Sequence, residues 1–245
     1  MTMLAVVMGA VHPVSGGWHL EDPVHIPFPD GKWMLIVKHS QFHVFIEGQK
    51  PNDLPTFMNE VGSIVQGCLD SLGFHLVSPL RAEIRSMVVD GNMLIQRRPG
   101  WPELSPELLT DPSIPHITGD KLQPFLAAAM REPLVRFALA DLRVAMESPD
   151  DTGYLAYRAV ESVRQWFLAG DEEDKRARTQ AWMDMRAALD LDESRLRSLG
   201  ELARQRRHGG VALITETQRK EALLLARDVV ARFIAHINER GTSST

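Results

Sequence analysis

Residues 99–119 read PGWPELSPELLTDPSIPHITG and contain five prolines. Each proline removes a backbone donor, holds φ at about −65° and keeps its predecessor out of the helical region. Neither a helix nor a central strand can run through such a stretch. It acts as a linker and leaves two parts, residues 1–98 and residues 120–245, to find their own regular structure.

The part before the linker alternates strand and helix patterns. MTMLAVVMGAV is apolar but has no basic residue before Lys32, so it reads as a buried strand and not as a secretory leader. Residues 32–48, KWMLIVKHSQFHVFIEG, are rich in β-formers, and Phe42, Val44 and Ile46 alternate with His43, Phe45 and Glu47. From Leu54 the period changes. Phe57, Met58, Val61, Ile64, Val65, Cys68, Leu69 and Leu72 follow the three-four spacing of one buried helical face. Asn52 or Asp53 suits its cap and Pro55 its first turn. LRAEIRSMVV and MLIQRR then flank Asp90-Gly91-Asn92 as a hairpin. This order predicts a small N-terminal α+β domain.

After the linker every pattern is helical. Helices are expected over 120–131, 134–147, 152–168, 172–189, 192–207 and 215–239. Pro133, Ser148-Pro149-Asp150, Gly170, Asp190-Leu191-Asp192 and Gly209-Gly210 separate them. Ser148 to Asp151 offers caps for the third, and Thr215 or Thr217 for the last. Short connections between such helices predict an all-α antiparallel helical bundle, so the fold class is α+β followed by a bundle.

Composition narrows the function. No apolar run approaches the roughly 20 residues that span a bilayer, so no membrane association is expected. The single Cys68 excludes an intrachain disulfide and a cysteine metal site, and points to a reducing, cytoplasmic setting. Formal net charge is −5. Residues 151–245 hold 16 basic and 15 acidic side chains, against 11 and 17 before them. Neither part is a polycation, so any nucleic-acid contact has to be local.

One local candidate stands out. ELARQRRHGG, residues 201–210, places Arg204, Arg206 and Arg207 directly before His208. On a helix over 192–208, Leu196, Leu199, Leu202 and Ala203 fall on one side. Arg197, Glu201, Arg204 and His208 form a stripe on the other, while Arg206 turns back toward the apolar side. Helix termination alone explains much of this. Cations favour a helix C-terminus, Gly209 suits a left-handed cap, and Glu201 can pair with Arg197 or Arg204 across one turn.

Residues 152–239 also resemble a HEPN domain, an all-α family common in prokaryotic defence and toxin systems. The likeness rests on YLAYRAVESVRQWF, on the helix ending ARQRRHGG and on the long closing helix KEALLLARDVVARFIAHI. It is nearest to the branch with ApeA-like HEPN domains. The resemblance implies a homodimer associated with RNA. In the active members, which are metal-independent ribonucleases, it implies an arginine and a histidine meeting in a cleft between two subunits. Carried over, His208 is the acid/base and Arg204 the clamp on the phosphorane-like transition state, with Arg197 and Arg207 as RNA contacts. The family's arginine precedes its histidine by four to six intervening residues, whereas Gln205, Arg206 and Arg207 alone separate Arg204 from His208. That shortening favours a noncatalytic dimerising or RNA-associated module over an endoribonuclease.

Other candidates carry less. His39 and His43 fall on one face of a strand without a third ligand at a recognisable spacing, so no metal or other cofactor is expected. Arg158 and Glu161 match polar positions of the resembling bundle and read as solvated or paired surface residues. Trp166 and Phe167 read as core. In a structural or regulatory alternative, the N-terminal domain recognises a partner protein and the bundle only oligomerises.

Overall fold

The computed structural model describes residues 2–13, 16–28, 31–49, 54–96, 116–117, 119–207 and 214–242. The chain forms two compact units, Met1–Met130 and Arg131–Thr245. The first is α+β and the second is a helical bundle.

The N-terminal unit is built on a six-stranded sheet ordered β3-β4-β5-β1-β6-β7. Its strands are β1 (Thr2–His12), β3 (Val24–Phe28), β4 (Gly31–Lys38), β5 (Gln41–Gln49), β6 (Arg81–Val89) and β7 (Asn92–Gln96). A short β2 (His19–Leu20) pairs in parallel with β8 (His116–Ile117). The opening apolar stretch is therefore a central strand, antiparallel to β5 on one side and β6 on the other. β6 and β7 form the expected hairpin, with Asp90 and Gly91 both at positive φ.

The block at 32–48 is two strands, not one. Its turn is His39-Ser40, with φ of 54° and 57°. His39 thus sits in the turn and His43 on β5, which corrects the expectation that they share a strand face. Ser40 is nearly enclosed: its Oγ accepts from the Trp18 N–H at 3.0 Å, and its own N–H donates to the Trp18 carbonyl at 2.9 Å. Those bonds hold a left-handed pair that no glycine supplies.

α1 (Leu54–Leu76) covers one sheet face. Phe57, Val61, Ile64, Val65, Cys68, Leu69 and Leu72 are all buried, as their spacing predicts, in one core with Val7, Leu35, Val44 and Ile46. Asn52 and Asp53 lie outside the described residues. Gly9 is required here by space: an added Cβ would fall 2.1 Å from the Glu83 carbonyl oxygen and 2.4 Å from the buried Phe42 ring. The opposite sheet face carries Val6, Met8, Met34, Ile36, Phe45 and Val88, none fully buried. α2 (Gly119–Arg131) completes this unit. The sequence groups α2 with the bundle, whereas Leu122 and Leu126 enter the N-terminal core and the Phe125 ring lies 4.2 Å from that of His75.

The second unit contains α3 (Pro133–Glu147), α4 (Thr152–Trp166), α5 (Lys175–Leu189), α6 (Glu193–Arg207) and α7 (Glu216–Thr242). α4 is its hub and packs against α3, α5, α6 and α7. Its apolar stripe of Leu155, Ala156, Ala159, Val160 and Val163 is buried. Helix ends are satisfied by side chains. Glu132 accepts from the Leu134 N–H and caps α3, and Asp174 does the same for α5 through Arg176. Thr215 and Gln218 form a reciprocal capping box at α7, Thr215 accepting from the Gln218 N–H and Gln218 from the Thr215 N–H. The start of α4 departs from expectation: Asp151 makes no side-chain cap, and a 3₁₀ turn at Pro149–Asp151 leads in instead. There the Thr152 hydroxyl donates to the Ala145 carbonyl at 2.8 Å and accepts from Arg219 Nε.

Candidate functional site

The residues singled out by sequence sit on α6 and its neighbours. Asp192 starts α6 by accepting from the Arg195 N–H at 2.9 Å and from the Ser194 hydroxyl, and these bonds hold its carboxyl below its ordinary range. Leu196, Leu199 and Ala203 are buried, so the opposite side faces out. Two glycines let α6 lie close to α4. A Cβ on Gly153 would stand 3.1 Å from Leu202 Cβ, and one on Gly200 3.3 Å from the Tyr157 ring.

Arg197, Glu201 and Arg204 form the expected exposed row, the two arginine side chains being 73% and 66% exposed. Glu201 pairs with Arg204, and Arg197 pairs with Glu193 at 2.8 Å. Arg207 is the last residue of α6; its side chain and all of His208 lie outside the described residues.

Beside this row is a recess of about 310 Å³ that sequence reasoning missed. Tyr157 of α4 and Trp182 of α5 stack at 6.0 Å with 25° between their planes. Arg186, Arg197, Gly200 and Glu201 complete its lining with Glu193 and Leu196. Arg186 is held by Glu193 at 3.2 Å. The recess therefore joins half-buried aromatic faces to two guanidiniums. Three helices contribute to it, and no single helical period reveals such a meeting.

Arg158 and Glu161 belong elsewhere. They line a cleft between α3, α4 and the loop before α5. Arg158 pairs with Asp141 at 3.0 Å, as a paired surface arginine would, and stands 5.7 Å from the Tyr154 ring. Asp141 lies among the buried residues of α3; burial pushes its carboxyl up to about 6, and Arg158 pulls the other way. Arg164 is equally buried on α4 and pairs with Glu172 at 2.7 Å. One signal was available: Asp141 and Arg164 each interrupt an otherwise apolar helical stripe.

Trp166 and Phe167 are only part-buried, packed with Phe233 and His236. Burial and the nearby Arg240 lower the His236 pKa. Among the described residues no group of three or more His, Cys, Asp or Glu is placed to hold a metal, and no helix is long and apolar enough to cross a membrane.

Residues 122–238 match a family model described as a domain of unknown function (DUF8168) C-terminal domain. No curated protein matches the chain, and no solved structure does.

Proposed function

We propose that the helical unit is a HEPN-like module that forms a homodimer and associates with RNA without cutting it. The observation that carries this reading is the outward row Arg197–Glu201–Arg204 beside the stacked Tyr157–Trp182 pair. Guanidiniums meet phosphates, and aromatic faces stack with unpaired bases, which is how single-stranded RNA is held. A chain of net charge −5 needs such a local site if it is to hold RNA at all. The three-residue spacing of Arg204 and His208, shorter than the resembling family's, favours binding over catalysis. A place in a prokaryotic defence or toxin system follows the same resemblance, and a cytoplasmic setting is proposed from the single Cys68.

The test combines light scattering with anisotropy of a fluorescent single-stranded RNA. The full chain should be a dimer and bind, and Arg197→Gln with Arg204→Gln should weaken binding. Each lost phosphate contact should flatten the salt dependence by roughly 0.7 in log–log slope. A monomer that binds no RNA at micromolar concentration would overturn the proposal. Incubation with mixed RNA in EDTA separates the runner-up. Cleavage to 2′,3′-cyclic phosphate ends that disappears in His208→Ala would replace it with the metal-independent endoribonuclease reading.

A second role rests on the N-terminal unit. The sheet face opposite α1, where Val6, Met8, Met34, Ile36, Phe45 and Val88 are half-buried, is the surface proposed for a partner protein. Replacing Phe45 with Ser should abolish partner capture while leaving RNA binding unchanged.

A further inference from the structure

The aromatic recess opens onto a helix side that the row Arg197–Glu201–Arg204 does not include. On α5, Lys175, Arg178, Trp182 and Arg186 recur at i, i+3, i+7 and i+11, which sets them on one side. The neighbouring row, Ala181, Met185 and Leu189, is buried and packs α5 onto its unit. Trp182 and Arg186 line the recess. At a rise of 1.5 Å per residue, Arg178 stands about 6 Å and Lys175 about 10 Å from Trp182 along the axis.

Availability separates these two cations from the guanidiniums around them. Arg186 and Arg197 share Glu193, and Arg204 holds Glu201. Arg158 and Arg164 are held by Asp141 and Glu172. Lys175 and Arg178 are exposed, and among the described residues neither side chain makes a hydrogen bond or an ion pair. A phosphate reaching either of them displaces no carboxylate. Helix stability does not account for their position. The macrodipole is positive at a helix N-terminus, so Lys175, Arg176 and Arg178 oppose it in the first turn.

Acidic groups mark the limits of a path along this side. α5 has four basic residues and one acidic one, in a chain of formal net charge −5. That one, Asp184, falls about 180° from Lys175 and is bound by Gln180 at 2.8 Å. Asp171 to Asp174 stand just before the helix. Asp174 accepts from the Arg176 N–H, Asp171 from the Glu173 N–H and Glu172 from Arg164, so three of these carboxylates are fixed in place. They repel a polyanion that has passed Lys175.

Resting on the RNA reading, we propose that the single strand whose base lies in the recess continues along the outer side of α5. One phosphate lies on Arg178 and the next on Lys175, and Asp171 to Asp174 end the track.

The test is anisotropy of the full chain with a fluorescent oligouridylate, titrated across a range of salt. Lys175→Gln and Arg178→Gln should each flatten the log–log salt slope by roughly 0.7 and weaken binding about fivefold at 0.1 M salt, with circular dichroism unchanged. Arg176→Gln is the control. It removes the same charge from the same turn but about 100° round the helix, and should leave the slope unaltered. Two results overturn the track while leaving the RNA reading in place. One is wild-type binding that Arg197→Gln with Arg204→Gln weakens but Lys175→Gln and Arg178→Gln leave unchanged. The other is an effect of Arg176→Gln as large as theirs, which would make the charge act as a general field. Wild-type protein that binds no oligouridylate overturns both.

Discussion

Gln66 Oε1, on α1, accepts from the Ala82 backbone N–H at 2.9 Å, next to the start of β6. The same amide donates through Nε2 to the Leu80 carbonyl at 2.9 Å and to Asp70 at 2.7 Å. One helical side chain thereby satisfies backbone groups on both sides of Arg81. Gln66→Ala should lower stability by about 1–3 kcal/mol in urea unfolding, because it leaves those groups part-buried and unmet. Gln66→Glu should be worse, since it loses both donated bonds and sets a second carboxylate beside Asp70. Equal midpoints for wild type and Gln66→Ala would show that water replaces the amide.

Val61 is fully enclosed between α1 and the sheet. Val61→Asp places an unpaired charge there and should cost at least about 3 kcal/mol, read as a lost or strongly lowered thermal transition. An unshifted melting temperature would mean that α1 buries a different side.

Cys68 is buried, and burial followed by the nearby Asp70 pushes its thiol up to about 12. The native protein should not react with a disulfide reagent at pH 8, and should release one equivalent of thiol only on denaturation. Rapid labelling of folded protein would place Cys68 at an opening segment of the helix.

Asp141 sets a pH dependence of stability. Its folded pKa is raised from 3.8 to about 6, so the fold holds its proton more tightly than the unfolded chain does. Stability should rise as pH falls from about 6 toward 4, by at most about 3 kcal/mol from this residue. Asp141→Asn should remove that rise, and should cost little at neutral pH because it also removes a buried charge. An unaltered pH profile in the variant would assign the dependence to other groups.

Much of the architecture was readable because it follows from local rules. Pro133, Gly170 and the Asp190–Asp192 stretch bound the helices to within a few residues of their observed ends. The α1 stripe is buried residue for residue wherever its side chains are described. The His39-Ser40 turn was not legible, since it contains no glycine or asparagine to mark it and the bonds that hold it come from Trp18. The membership of α2 was equally hidden, because an amphipathic helix does not state which core receives it. For the site, periodicity placed Arg197, Glu201 and Arg204 outward but could not foresee that Arg197 would choose Glu193. The Tyr157–Trp182 stack and the Asp141–Arg164 cleft depend on residues far apart in sequence. They require the assembled bundle.

The position of β1 in mid-sheet has a consequence for synthesis. Its partners are residues 41–49 on one edge and 81–89 on the other. A ribosome delivers β1 before either partner exists, so its apolar side chains and both rows of backbone groups wait for chain not yet made. Nearly ninety residues must emerge before the second edge is paired. During that interval Thr2–His12 is the segment most in need of shelter by a chaperone, and a translational pause placed between β5 and β6 would prolong its exposure.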